Sequence, residues 1–297
     1  MTIEPVATKS VEKTLRHAVQ VLAASPTPLL DARVLIKHVT GFDDAALIAK
    51  ANDPFPPHLL TAYDELIARR AGGEPVAYIS GVKEFWSLEF NVTPDVLIPR
   101  EDSECLIERV IASFASDAGL SILDLGTGSG CLLCALLDEF KNGKGVGVDR
   151  SESALTIAEE NARKLALADR ATFVTSDWFS AVSEKFDLII ANPPYIREDD
   201  RVTLPKDVCA YEPGGALFAG ADGLDAYRQI LISAPLYLKA GGMMVMEMGF
   251  DQSDPLLEMV TKTFPEAEIS LIYDLQQRPR GICVDRRAGG SRGQKKD

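Results

Sequence analysis

Asn192-Pro193-Pro194-Tyr195 follows directly on the apolar run Phe186-Asp187-Leu188-Ile189-Ile190, which reads as a buried strand. Two consecutive prolines donate no backbone hydrogen bond and hold φ near one value, so the Pro193 carbonyl is expected to be unpaired and turned outward. The side-chain Oδ1 of Asn192 supplies a second acceptor beside it. Two acceptors side by side match the two N–H bonds of an NH2 group, and the ring of Tyr195 offers a face for a flat amide or base. The nitrogen of such a group is a poor nucleophile, because its lone pair is delocalised into the neighbouring π system. Hydrogen bonds from both N–H groups to fixed acceptors localise the pair and stabilise the positive charge that grows as a methyl group arrives. Alignment with the methyl donor adds a proximity effect. No strong base is required, since the methylated nitrogen releases its proton to water. The three histidines, His17, His38 and His58, all lie far upstream. Asn192, Pro193 and Tyr195 are therefore the expected catalytic residues, with Pro194 completing the substrate-binding stretch.

A second motif lies upstream. Ser121-Ile122-Leu123-Asp124-Leu125 reads as a strand, and Gly126-Thr127-Gly128-Ser129-Gly130 leads from it into an apolar helix from Cys131 to Leu137. Glycines at such a turn allow a ligand close to the backbone. The next strand, Gly145-Val146-Gly147-Val148, ends in Asp149, 23 residues after Gly126, where a carboxylate can accept from ribose hydroxyls. Asp149 and Ser151 also have a plainer reading, as caps of the helix that follows. A nicotinamide-dependent dehydrogenase is the obvious rival for the loop. Its glycines, however, follow G-x-G-x-x-G, whereas these follow G-x-G-x-G, and a dehydrogenase has no use for Asn-Pro-Pro-Tyr. The expected cofactor is S-adenosylmethionine, which carries no phosphate for an acidic chain to repel.

Together with their flanks, these motifs resemble the release-factor glutamine methyltransferase family over nearly the whole chain. The likeness includes Arg69-Arg70 with Gly73-Glu74-Pro75, Ala77-Tyr78-Ile79, Glu84-Phe85-Trp86 and Leu97-Ile98-Pro99-Arg100. Downstream it includes Ser176-Asp177-Trp178-Phe179, Tyr211-Glu212-Pro213, Gly223-Leu224 with Tyr227, and Glu247 with Gly249 and Gln252. The Asn-Pro-Pro-Tyr core alone is shared with DNA adenine and cytosine amino-methyltransferases; the flanks are more specific. The resemblance implies methylation of the amide of a glutamine, in the Gly-Gly-Gln motif of peptide chain release factors, with S-adenosylhomocysteine as product. It makes Asp177 and Trp178 contacts on the adenine side, adds Asn192 to the cofactor site, and sets Arg100 beside the pocket; Arg100 also reads as a structural ion-pair partner. Glu101 stands where the family commonly has proline, and Ser103 where threonine is frequent.

The elements that must carry these residues are legible in outline. Val11, Leu15, Ala18 and Leu22 share one helical face; Ala32, Leu35, Ile36 and Val39 share another, stopping at Gly41. Leu59, Tyr63, Leu66 and Ile67 make a third, stopping at Gly72-Gly73, and Pro54, Pro56 and Pro57 interrupt the pattern before it. From Trp86 the period changes to two, with Leu88, Phe90 and Val92 alternating against Ser87, Glu89 and Asn91, which predicts a hairpin bridging two domains. Phe85 and Trp86 read as core between the domains. Strands are expected at 121–125, 145–149, 171–175, 186–190 and 243–248, alternating with helices. The expected fold is α/β: a Rossmann-like, seven-stranded class I methyltransferase domain over 95–287, joined by a linker over 76–94 to a small helical substrate-recognition domain over 1–75. Residues 288–297 read as a disordered tail.

Composition narrows the class of protein. A formal charge of −13 over 297 residues disfavours a main ligand that is a phosphate backbone, so no direct nucleic-acid partner is expected. No long apolar segment or leader-like start is visible, which predicts a cytoplasmic protein with no membrane partner. Five cysteines fit a reducing compartment. Cys131 and Cys134 form a C-x-x-C inside a helix without a second ligand pair, so core packing is expected there and no metal. The expected state is a monomer. An amino-methyltransferase acting on adenine N6 or cytosine N4 would need a basic recognition region, which the N-terminal part does not offer. A non-catalytic cofactor binder would have no need of an intact Asn-Pro-Pro-Tyr.

Overall fold

In the computed structural model, which describes residues 9–287, helix α1 (Val11–Val21) begins where the Ser10 hydroxyl accepts from the Lys13 amide. Helix α2 (Pro28–Thr40) takes Pro28 at its first position and ends on Gly41 in the left-handed conformation, φ 69°. Two short helices, α3 (Asp44–Ala49) and α5 (Val76–Ser80), flank α4 (Pro57–Ala71). Neither short helix is long enough to display a period, and neither was expected from the sequence. Pro57 begins α4, because a proline costs nothing at a first helical position. Val11, Ala18, Leu35, Ile36, Phe55, Tyr63 and Ile67 make one buried cluster. A buried ion pair joins Asp31 to Arg70 at 2.6 Å, and Asp31 also accepts from the Ser25 and Thr27 hydroxyls. Arg69 pairs with Glu74. The double arginine and the Gly-Glu-Pro stretch therefore have structural work inside this helical unit.

The chain divides into two compact units. One comprises the N-terminal residues through Val82 together with Pro205–Tyr211, and the other Lys83–Leu204 with the residues from Glu212 onward. Of the stretch 76–94, α5 therefore groups with the helical unit, and Lys83 onward with the second. Strands β1 (Val82–Phe85) and β2 (Leu88–Asn91) form the hairpin. Trp86 and Ser87 are its turn, with φ 53° and 57°, and so are not the start of a strand. A tryptophan tolerates this conformation because Glu104 accepts its backbone N–H at 2.8 Å and Glu139 its indole N–H at 2.7 Å. Phe85 is buried in the core of the second unit, and Trp86 packs partly against that core.

The rest of this unit is α6 (Glu104–Ile111), β3 (Ser121–Leu125), α7 (Cys131–Glu139), β4 (Lys144–Asp149), α8 (Glu152–Lys164), β5 (Ala171–Thr175) and β6 (Phe186–Ala191). After α9 (Lys206–Tyr211), which groups with the helical unit, come α10 (Asp225–Tyr237), β7 (Leu238–Glu247), α11 (Ser253–Thr263), β8 (Glu268–Tyr273) and β9 (Pro279–Asp285). The seven strands run in the order β5-β4-β3-β6-β7-β9-β8. Pairing is parallel from β5 to β7 and antiparallel on both sides of β9. Alternate strand residues feed two cores. Ile122, Leu188, Ile190, Met243 and Val245 pack with α6 and α7, while Leu123, Leu125, Ile189, Met244 and Met246 pack with α10 and α11. Among the described residues no helix is long and apolar enough to cross a membrane. The stretch 288–297, read from the sequence as a disordered tail, lies outside the described residues.

Candidate active site

The strand order reverses between β3 and β6, and it is there that an open parallel sheet leaves a crevice at its carboxyl edge. Leu125 of β3 pairs with Ala191 of β6. The next residue on one strand is Gly126, and on the other Asn192. Parallel pairing thus brings the two motifs to neighbouring positions, although 66 residues separate them in sequence.

The glycine loop needs its glycines for two reasons. Gly126, Gly128 and Gly130 all have positive φ, at 70°, 53° and 78°. A Cβ on Gly130 would also lie 3.1 Å from that of Ala158 on α8. The amides of Gly126 and Thr127 both donate to the Val148 carbonyl at the end of β4. Buried Thr127 donates its hydroxyl to Asp124 at 2.6 Å, and burial pushes the Asp124 carboxyl up to about 7. Asp149 takes the Gly128 amide on Oδ2 at 3.0 Å and the Ser151 amide on Oδ1 at 2.9 Å. The helix cap itself is Ser151, whose hydroxyl accepts from the Ala154 amide. Fully buried Asn161 of α8 donates to the Ser129 carbonyl at 2.9 Å; no sequence signal marked it. Further round the edge, Ser176 donates to the Trp178 carbonyl, the Asp177 amide donates to Ser180, and the indole of Trp178 donates to Gln229.

After β6, Asn192 turns Nδ2 to the Ser103 hydroxyl at 3.3 Å. Among the described residues no group donates to its Oδ1 or to the Pro193 carbonyl. Ser103 in turn donates to Glu247 Oε2, and Tyr195 donates its hydroxyl to Oε1 at 3.2 Å. Glu247, the last residue of β7, is 1% exposed. Burial outweighs the hydroxyls and the nearby Arg280, and pushes its carboxyl up to about 7. The Tyr195 phenol is raised as well, chiefly by burial. Gln252 ties the loop from below: its side-chain amide donates to the carbonyls of Tyr195 at 2.9 Å and Gly223 at 3.1 Å. Arg100 pairs with Glu212 at 2.5 Å, and Glu212 also accepts from the Ile98 amide.

These parts surround one cavity of about 660 Å³. Gly126, Thr127, Gly128, Ser129, Asp149, Asp177, Trp178, Asn192, Pro194 and Arg100 line it, as does Ser103. Gly130, Pro193 and Tyr195 do not. Gly130 faces α8 instead, and the Tyr195 ring, expected as a face of the pocket, packs against the core on the α10 side with its hydroxyl on Glu247. Ser103 entered the sequence reading only as a departure from threonine, and Glu247 only as part of a pattern. Their meeting across 144 residues of chain is invisible to spacing.

Comparison with known proteins agrees with this architecture. Residues 13–81 match the family described as PrmC N-terminal domain, and residues 116–286 match a methyltransferase domain. The catalytic domain of hMettl16 shares the fold at 14% identity, with a TM-score of 0.56 over 94% of this chain and 96% of that one. The chain is 41% identical to the release factor glutamine methyltransferase of Cereibacter sphaeroides, over 91% of this chain and 96% of that protein. It is 36% identical to the protein of the same name from Burkholderia pseudomallei, over 92% and 95% respectively. A bifunctional methyltransferase of Rickettsia typhi matches at 38% identity over 53% of its own length. With relatives of this identity along almost its full length, the chain belongs to the release factor glutamine methyltransferase family.

Proposed function

We propose that this enzyme transfers a methyl group from S-adenosylmethionine to the side-chain amide nitrogen, N5, of the glutamine in the Gly-Gly-Gln motif of peptide chain release factors, leaving S-adenosylhomocysteine. One observation carries the reading: Asn192, its Oδ1 without a donor, meets the glycine loop at a single cavity. The cavity suits this cofactor. Asp149 and Asp177 stand on its wall as acceptors for hydroxyl and amino groups, and the Arg100 guanidinium there is paired with Glu212. When bound, S-adenosylmethionine supplies an electrophilic methyl group on a cationic sulfur.

The chain's own residues do the rest. The loop Gly126-Thr127-Gly128-Ser129-Gly130 lets the ligand approach the backbone, Asp149 accepts from ribose hydroxyls with the lone pairs its two amide partners leave free, and Asp177 and Trp178 flank the base. On the other side, Asn192 Oδ1 and the Pro193 carbonyl accept the two N–H bonds of the glutamine amide. They thereby hold its lone pair on nitrogen and offset the charge that grows there. Pro194 and Tyr195 keep this acceptor pair in place, and Arg100 with Glu212 borders the substrate side. The surplus proton leaves to water, because the cationic amide is a strong acid.

Residues 1–75 serve recognition of the release factor, 76–94 link, and 95–287 catalyse. The charge of −13 favours a protein partner over a polyanion, so nucleic acid is not bound directly, and the enzyme acts as a cytoplasmic monomer. Incubation with radiolabelled cofactor tests the substrate. Label is expected on a bacterial release factor, absent when the glutamine of its Gly-Gly-Gln motif is replaced, and absent from duplex DNA. Preferential labelling of DNA would overturn the assignment in favour of a nucleic-acid amino-methyltransferase.

A further inference from the structure

An asparagine amide is nearly symmetric in shape, and rotation about its last torsion is soft. Only one of its two orientations can serve the reaction. Turned the other way, Asn192 would present an NH2 donor to the NH2 of the substrate. Something must hold Nδ2 away from the cavity.

We infer that Ser103 and Glu247 are positioning residues that fix the amide of Asn192 with Oδ1 toward the substrate nitrogen. The inference rests on the amide-clamp reading of Asn192 given above. Its basis is a count of donors and acceptors. An ionised carboxylate only accepts, and both oxygens of Glu247 are met by hydroxyls, Oε2 by Ser103 and Oε1 by Tyr195. The single hydroxyl hydrogen of Ser103 is therefore committed to Glu247, which leaves Ser103 Oγ only lone pairs to offer Asn192. Nδ2 is the one end of the amide that can meet a lone pair, and it does so at 3.3 Å. The direction of each bond is thus set by a charge buried at the end of β7.

Protonation of Glu247 reverses the chain. A carboxylic acid can donate to Ser103 Oγ, Ser103 can then donate to Asn192 Oδ1, and the amide is free to turn over. Around Glu247 stand Tyr195 from the loop after β6, Tyr227 of α10, whose hydroxyl donates to the Glu247 carbonyl at 2.8 Å, and Arg280 of β9. Arg280 is itself paired with Asp102 at 2.9 Å and Asp274 at 3.4 Å. The Asp102 charge opposes that of Glu247, and the Cys105 and Cys131 thiols near it are raised by burial to about 12. Burial pushes Glu247 up to about 7, so its charge changes near neutral pH; the Asp124 carboxyl of β3, which also acts on Cys131, is raised by burial to about 7 as well.

The test compares wild type, Ser103→Ala, Ser103→Thr, Glu247→Gln and Asn192→Ala on a bacterial release factor. Calorimetry with S-adenosylmethionine alone is run alongside. Ser103→Ala should lower kcat by roughly 10- to 100-fold, the scale for a misaligned reacting group, with cofactor Kd unchanged within about threefold. Ser103→Thr keeps the hydroxyl and should restore kcat to within about threefold of wild type. Wild-type kcat should fall as pH drops through about 7, and Glu247→Gln should lack that acid limb.

If Ser103→Ala turns over like wild type while Asn192→Ala does not, the positioning role is overturned and the clamp stands. If Asn192→Ala turns over like wild type, clamp and positioning role fail together. A Ser103→Thr enzyme as slow as Ser103→Ala would mean that packing matters and the hydroxyl does not, which also overturns the inference. Should Ser103→Ala fail to fold, the pH profile of Glu247→Gln decides alone: an acid limb identical to wild type refutes the role.

Discussion

The two loops that flank the switch point are held by different means. After β3, Thr127 bonds to Asp124 three residues away and Gly128 to Asp149 across 21. After β6, Asn192 is held by Ser103 across 89 residues, Ser103 by Glu247 across 144, and Tyr195 by Glu247 across 52. The first loop is anchored mostly through its own backbone amides, the second through side chains gathered from three separate segments around one buried carboxylate. A loop of the first kind binds a constant ligand wherever a strand, a glycine turn and a carboxylate recur at the right spacing. The second kind exists only once the sheet has closed. It gains a fixed amide orientation, and it depends on a charge that burial makes costly.

Four substitutions probe that contrast. Asn192→Ala should cut kcat by about 10²- to 10³-fold, the scale for losing one positioned transition-state partner, while cofactor affinity changes little. Single-turnover kinetics beside calorimetry measure both; an equal loss in cofactor affinity would erase the distinction between the loops. Asp149→Ala should do the converse, weakening S-adenosylmethionine binding by roughly 1.5–3 kcal/mol, with kcat at saturating cofactor largely kept. Unchanged affinity in a folded variant would remove Asp149 from the ribose site.

Gly223→Ala tests the support beneath the second loop. Gly223 has φ 74°, and a Cβ there would lie 2.4 Å from the Tyr195 carbonyl oxygen and 2.7 Å from Gln252 Nε2. Overpacking of this kind costs about 1–3 kcal/mol, so a lowered Tm and lowered kcat are expected with cofactor binding intact. Full stability would mean that the loop gives way without cost.

The remaining effect is spread over a pH range and concerns the first loop. The folded-state pKa of Asp124 is raised, from 3.8 to about 7, chiefly by burial. The protonated form thus favours folding. That contribution is fully present below the unfolded value and is lost as pH rises toward 7. Relative to Asp124→Asn, wild-type stability should fall by at most about 1.4 kcal/mol per pH unit over this window and level off above it. Denaturant melts across the window measure the difference; a flat difference would mean that the carboxyl titrates at its ordinary value.

Much of this protein could be read from contiguous residues, because the physics there is local. Proline geometry, glycine conformations, strand-length apolar runs and the 23-residue step from Gly126 to Asp149 pointed to the α/β sheet, to both motifs and to methyl transfer onto a planar NH2 group, which the family resemblance then narrowed to a glutamine amide. Helices α1, α2 and α4 were legible because their apolar faces repeat for several turns. Helices α3 and α5 were too short for that, and the strands β8 and β9 pair antiparallel at an edge where no motif draws the eye.

What only the tertiary structure decided is which side chains meet. Pairing of Leu125 with Ala191 makes neighbours of the two motifs, and the packing that buries Glu247 brings Ser103 and Tyr195 onto its oxygens. It also turns the Tyr195 ring into the core. Types and spacing state what a residue is able to do. Desolvation and hydrogen-bond direction arise from neighbours distant in the chain, and it is they that select which of those abilities the folded protein uses.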